Sequence, residues 1–138
     1  MILLDTNVVL DVLQKREPHY NASAAILDRA IRNEERAALA AHAVTTIHYI
    51  VARYRDGKSA HGAVNWLLRN LQIAAVGHEE IVRAQALGWS DFEDAVVAAV
   101  AEAAGCDAIV TRNVKDFAAS SIPAVTPEEY VLDWLPGH

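Results

Sequence analysis

Short, unbroken apolar runs alternate along this chain with longer stretches whose apolar residues recur every three to four positions. Residues 2–4, 37–41, 73–76 and 108–110 have the length and composition of buried strands, and Val125 marks a last short one. Helical spacing fills the intervals. It covers residues 7–14, then 21–35 with Ala24, Ala25, Ile26, Leu27, Ala30 and Ile31, with Pro18 breaking the chain between the two. Thr45 or Thr46 is expected to cap a helix that runs to about Arg55 and breaks at Asp56-Gly57. Further helices are predicted over 60–70 and 79–87. Ser90-Asp91-Phe92-Glu93 has the form of a capping box, with Ser90 capping and Glu93 reaching back, ahead of an Ala/Val-rich helix that Gly105 stops. Thr126-Pro127-Glu128-Glu129 opens the last helix with cap, N1 proline and acidic first turn.

Strands that alternate with helices predict an α/β fold with a parallel sheet covered on both faces. In such sheets the chemistry sits at the carboxyl ends of the strands. That rule selects Asp5-Thr6-Asn7, the turn from Thr45 to His48, and residues 111–116.

Three groups of oxygen-bearing side chains stand out. Asp5 ends a strand and begins a helix, a place where an acid can also act simply as a cap. Asp91 and Asp94 are three apart, hence on one face of a helix near its N-terminus. Asp94 precedes a nearly all-apolar helix, so it lies at the margin of the core, where an uncompensated carboxylate is costly. Asn113 and Asp116 follow the strand at 108–110, where they could also form an ordinary polar turn. Carboxylates brought from separate strand ends to one point would suit a hard cation such as Mg²⁺ or Mn²⁺. Such an ion acidifies a bound water and stabilises charge developing on a phosphate.

Composition narrows the alternatives. With 138 residues and 53% hydrophobic content the chain suffices for one domain, residues 1–138, with a real core. The single cysteine, Cys106, excludes an internal disulfide and fits a buried thiol in a reducing cytosol. No stretch reads as a signal peptide or membrane span, so the expected setting is cytoplasmic. A net charge of −6 argues against coating nucleic acid by charge alone, but leaves room for catalytic carboxylates that a metal neutralises. There is no Cys/His zinc pattern and no glycine-rich phosphate loop.

The sequence resembles the PIN-domain family from Leu4-Asp5-Thr6-Asn7 through Asp91-Phe92-Glu93-Asp94-Ala95 and Thr111-Arg112-Asn113-Val114-Lys115-Asp116-Phe117 to Thr126-Pro127-Glu128-Glu129-Tyr130. Its relatives include toxins of VapBC-type toxin–antitoxin pairs. The resemblance implies a three-layer α/β/α domain with a central parallel sheet of about four to five strands. It implies a Mg²⁺- or Mn²⁺-dependent endoribonuclease acting on RNA, an antitoxin partner and, with the high apolar content, a homodimer. By motif position Asp5, Asp94 and Asp116 are the expected catalytic and metal-binding acids, with Asp91 and Asn113 beside them.

Where many relatives carry a glutamate in the helix after the second strand, His48 is the residue expected here; imidazole suits Mn²⁺ better than Mg²⁺. Arg112 and Lys115 are the expected phosphate contacts. Two alternatives compete: a catalytically weakened PIN-fold binding or regulatory module, suggested by His48 and Asn113, and a haloacid-dehalogenase-like phosphatase. The second needs another aspartate two residues after Asp5, where this chain has Asn7.

Overall fold

The fold is described by a computed structural model, over residues 1–133. Five parallel strands form one sheet: β1 (Ile2–Leu4), β2 (Ala37–Ala40), β3 (Gln72–Ala74), β4 (Ala108–Val110) and β5 (Ala124–Val125), in the order β3-β2-β1-β4-β5. Seven helices connect them among the described residues: α1 (Thr6–Leu13), α2 (Tyr20–Ile31), α3 (Ala41–Tyr54), α4 (Gly57–Asn70), α5 (His78–Leu87), α6 (Phe92–Ala103) and α7 (Pro127–Leu132). A 3₁₀ turn, Val114–Phe117, follows β4. None of the helices among the described residues is long and apolar enough to cross a membrane.

Alternation along each strand divides the core in two. Ile2, Leu4, Ala37, Leu39 and Val110 face α1–α4, with Tyr130 and Val131 of α7 against the same cluster. Leu3, Ala38, Ala40 and Ile109 face the other way, onto α5 and α6. The result is the three-layer α/β/α arrangement the sequence predicts. Register is continuous across the centre: Leu4 pairs with Leu39 on one side and with Val110 on the other. The chain winds outward from β1 to β3, then returns to β4 on the opposite flank. The switch point therefore lies between β1 and β4, and it opens a crevice beyond their carboxyl ends.

Helix α6 explains why that crevice can hold charge. Ala95 through Ala101 are all buried, so the helix is driven into the lower layer by apolar surface nearly all round. Its N-terminus, where the polar residues are, points toward the strand ends.

Some boundaries differ from those the sequence predicts, each for a local reason. Helix α3 starts at Ala41, directly after β2, with no side-chain cap; Thr45 lies inside it and donates to the His42 carbonyl at 2.7 Å. Asp56 does more than mark a break, because its carboxylate accepts from the Ser59 N–H at 2.6 Å and caps α4. At α6 the cap is Asp91, not Ser90: Asp91 Oδ1 accepts from the Asp94 N–H at 3.0 Å. Gly105 does end that region in the left-handed conformation, φ +68°, open to glycine at no steric cost. Thr126 caps α7 as expected, accepting from the Glu129 N–H at 3.0 Å.

Candidate metal centre

Asp5 sits at the switch point because β1 ends there and α1 begins one residue later. Its N–H donates to the Val110 carbonyl of the neighbouring strand at 2.9 Å, which ties its backbone to the end of β4. The residue is 4% exposed, and its Oδ2 accepts from the Thr111 hydroxyl at 2.8 Å. Thr111 Oγ1 in turn accepts from the Asn113 N–H at 3.1 Å, and the Asn113 carbonyl accepts from the Asp116 N–H at 3.0 Å. One hydrogen-bonded chain thus orders Asp5, Asn113 and Asp116 relative to each other. Thr111 lies in the strand-end run 111–116 that the sequence singles out, but nothing in that run marks it as the partner of Asp5.

Asp5, Asn113 and Asp116 line a cleft of about 260 Å³ with Asp91, Glu93 and Asp94 from the start of α6, Thr6, Asn7 and Leu10 from α1, and Thr46 and Ile50 from α3. The structure therefore brings Asp5, Asp94, Asp116, Asp91 and Asn113 to one place, as their positions at strand ends and at one helix N-terminus suggest. Glu93 joins them, released from the expected capping role: its Oε2 lies 2.6 Å from His42 Nε2. That contact spans β2–α3 and α6, so no local pattern announces it.

The electrostatics follow from crowding. Burial pushes the Asp5 carboxyl above its ordinary value, the Thr111 hydrogen bond pulls it back, and the Glu93 charge pushes it up again. Asp94 is raised further, to about 7, first by burial and then by the charges of Asp91, Asp5, Glu93 and Asp116. A cleft with this much uncompensated negative charge and only oxygen donors is matched in kind to a hard divalent cation. In the present arrangement no three His, Cys, Asp or Glu side chains among the described residues stand close enough to share an ion. Repulsion between uncompensated carboxylates opposes closer approach.

Two expected residues lie elsewhere. His48 is two positions beyond Thr46, roughly 200° around the helix, and its ring stacks edge-on against His61 of α4, with centroids 5.0 Å apart. The polar residue that α3 presents to the cleft is Thr46, beside Ile50. Consequently His48→Ala should leave Mn²⁺ affinity within about twofold of wild type, while Thr46→Glu, by adding one carboxylate ligand, should raise it about tenfold. Calorimetric titration of both variants checks this; a loss in His48→Ala with no gain in Thr46→Glu would restore the histidine to the site.

Arg112 is also turned away from its expected phosphate. Its Nε lies 3.2 Å from Asp11 Oδ2, and the Asp11 side chain is wholly buried in α1. Drawing that guanidinium away would leave the buried Asp11 carboxylate uncompensated, which is costly. Lys115, by contrast, is exposed beside the cleft.

Comparison with known proteins adds to this geometry. A family model for the PIN domain matches residues 1–115. No curated protein matches the sequence. Among solved structures, FitAcB from Neisseria gonorrhoeae aligns with a TM-score of 0.68 and 25% identity over 93% of this chain and 99% of its own. VapBC2 from Rickettsia felis, bound to a DNA fragment from its promoter, aligns with a TM-score of 0.72 and 18% identity over 91% and 98%. VapC20 from Mycobacterium tuberculosis, a sarcin–ricin-loop-cleaving toxin, aligns with a TM-score of 0.71 and 15% identity over 92% and 100%. Each covers nearly the whole of both chains with the same fold.

Proposed function

The chain belongs to the PIN-domain family, and on that premise we propose that it is a metal-dependent endoribonuclease, the toxin of a toxin–antitoxin pair. The observation that carries this reading is the cleft at the β1/β4 switch point, where Asp5, Asp94, Asp116, Asp91 and Asn113 meet. Asp5, Asp94 and Asp116 would hold Mg²⁺ or Mn²⁺, with Asp91 and Asn113 beside them. Such an ion, when bound, supplies an acidified water and charge neutralisation at a phosphodiester.

The protein's own groups prepare that site. Thr111 fixes the orientation of Asp5. Asp91, by accepting from the Asp94 N–H, sets the angle at which α6 presents Asp94. Lys115, exposed at the rim, is placed to meet a phosphate of the strand. If water is the nucleophile, RNA fragments should carry 5′-phosphates and cleavage should stop in EDTA. Fragments ending in 2′,3′-cyclic phosphates, or cleavage that persists in EDTA, would refute this chemistry.

Asp94 gives the reaction a pH dependence. Its folded-state value of about 7 exceeds the ordinary aspartate value of 3.8, so between these limits the folded, metal-free protein holds a proton that the unfolded chain has lost. Stability of the metal-free protein therefore falls as pH rises through that window and levels off above about 7. Cation binding needs the deprotonated form, so Mn²⁺ affinity should rise about tenfold per pH unit up to neutrality and then flatten. Titrations at about pH 5.5, 6.5 and 7.5 read this directly, and a flat affinity across them would contradict it.

A second reading is favoured by Thr46, which leaves α3 without an acid in the cleft: a binding or regulatory module with weakened turnover. It predicts RNA binding with no cleavage in either Mg²⁺ or Mn²⁺. For partners, the solved relatives FitAcB and VapBC2 support an antitoxin, to be sought as a short neighbouring gene whose product co-purifies with this chain and blocks cleavage. Ile81 and Val82 of α5 and Phe92 of α6, 40%, 54% and 45% exposed, support a homodimer. Light scattering of the isolated protein at micromolar concentration should give twice the monomer mass; the monomer mass alone would count against it.

A further inference from the structure

Beside the carboxylate cleft lies a second, larger recess of about 570 Å³. Asp91, Asp94 and Asp116 belong to both, so the two cavities share a wall. On its far side the recess is formed by Trp89, Lys115, Ala118 and Ala119. Its size falls within the range of about 300–1,000 Å³ typical of small-ligand sites. What it offers is an aromatic ring, a cation and a floor of methyl groups, next to the acids that would hold the metal.

The indole is oriented rather than loose. Trp89 meets Phe117 edge to face, with ring centroids 5.9 Å apart and planes at 83°. Phe117 is itself buried, 2% exposed, and closes the 3₁₀ turn that carries Lys115 and Asp116. A T-shaped contact occupies at most one face of the indole, so at least one face is clear of Phe117. Trp89 is only half-buried, sitting in the short connection between Gly88 and the α6 cap. The Lys115 side chain is exposed and makes no ion pair or hydrogen bond among the described residues, so its charge is available.

We infer that this recess is a nucleotide subsite, in which one unpaired base of an RNA strand stacks on Trp89 while Lys115 meets an adjacent phosphate. The inference rests on the ribonuclease reading for its placement next to the metal centre. Single-stranded RNA presents splayed bases that proteins take up on aromatic faces, whereas a duplex keeps its bases stacked and gives the indole nothing to hold. The subsite would select unpaired targets and fix which phosphodiester lies over the acids.

The test separates binding from cleavage. Labelled single-stranded RNA oligomers are titrated by fluorescence anisotropy in EDTA, where no metal-dependent turnover occurs, against wild type, Trp89→Ala, Trp89→Phe and Lys115→Met. Trp89→Ala should bind about tenfold more weakly, within the range that loss of one base stack produces, and Trp89→Phe should keep most of the affinity. An oligomer with one abasic position in the subsite should bind wild type as weakly as the intact oligomer binds Trp89→Ala, and Trp89→Ala should lose nothing further with it. Lys115→Met should shallow the salt dependence by about one phosphate contact.

Equal affinity of Trp89→Ala and wild type overturns the subsite. So does a Trp89→Ala loss that the abasic oligomer repeats in full, because the two would then act independently. If Trp89→Ala does not fold, Trp89→Phe and the abasic series on wild type decide: no abasic penalty at any position overturns the inference. Should the stacking pattern hold while no RNA is cut in Mn²⁺, the subsite stands and the ribonuclease reading fails.

Discussion

Asp94→Asn is expected to reduce RNA cleavage by more than about a hundredfold, beyond what loss of a merely supporting partner costs a metal site. The same change should raise the unfolding midpoint of the metal-free protein. Both effects have one origin. Asp94 is partly withdrawn from water and also faces four other carboxylates, which together push its carboxyl up to about 7. An amide of the same shape removes the repulsion and also removes the ligand. The size of the gain depends on pH, not its sign: the wild-type protein loses stability progressively as pH rises from the ordinary aspartate range to about 7, so the variant's gain should be partial near pH 5 and largest above pH 7. Thermal melts in EDTA at both pH values, beside cleavage rates in Mn²⁺, check the two halves together. A variant that keeps wild-type cleavage while gaining stability would place the metal elsewhere.

This opposition between stability and activity is what a functional site built from like charges should show. It also explains why Asp5 is so firmly held. Asp5 is almost wholly buried, and its Thr111 hydrogen bond and strand-end backbone bond limit where its charge can go.

The second large effect is on stability. Arg112→Met should cost about 3–5 kcal/mol at neutral pH, because it strands the Asp11 carboxylate in the core without its counter-ion. Burial already pushes Asp11 above its ordinary value, with Arg112 the first group opposing that push. Without the guanidinium the folded-state value rises further. The folded protein then holds the Asp11 proton over a wider range than the unfolded chain does, so the destabilisation is small near pH 4 and grows as pH rises. Adding Asp11→Asn to Arg112→Met removes the buried charge, and should recover most of the loss and abolish its pH dependence. Urea unfolding of the single and double variants at about pH 4 and 7 measures this. A pH-independent loss in the single variant would mean that Arg112 contributes packing, not charge.

The strands were legible in the sequence because buried parallel strands are apolar on both faces and need no pairing information to recognise. Residues 2–4 and 108–110 coincide with β1 and β4. Asp5, Asn113 and Asp116 were legible for a related reason, since strand ends at a switch point converge whatever lies between them, and Asp91 and Asp94 because they stand at the polar N-terminus of an otherwise apolar helix. What failed was helix phase. Placing the start of α3 at Thr45 rather than Ala41 hides that Ala43, Ile47 and Val51 form its buried stripe. With that stripe fixed, Thr46 and Ile50 share the flank facing the cleft, and His48 faces α4. Ser90 and Asp91 are both good caps, and only the packing of α6 chose between them. The Glu93–His42 and Arg112–Asp11 pairs join distant segments, and no local pattern encodes either.

The central claim is that the acidic cleft holds a divalent cation, and Mn²⁺ titration followed by electron paramagnetic resonance tests it most directly. The wild-type protein near pH 7.5 should take up Mn²⁺ at a saturable site from which Mg²⁺ displaces it. Asp5→Asn and Asp94→Asn, each folded, should lose that site. Wild-type protein that binds no Mn²⁺ at millimolar concentration, or variants that bind it as the wild type does, would contradict the account.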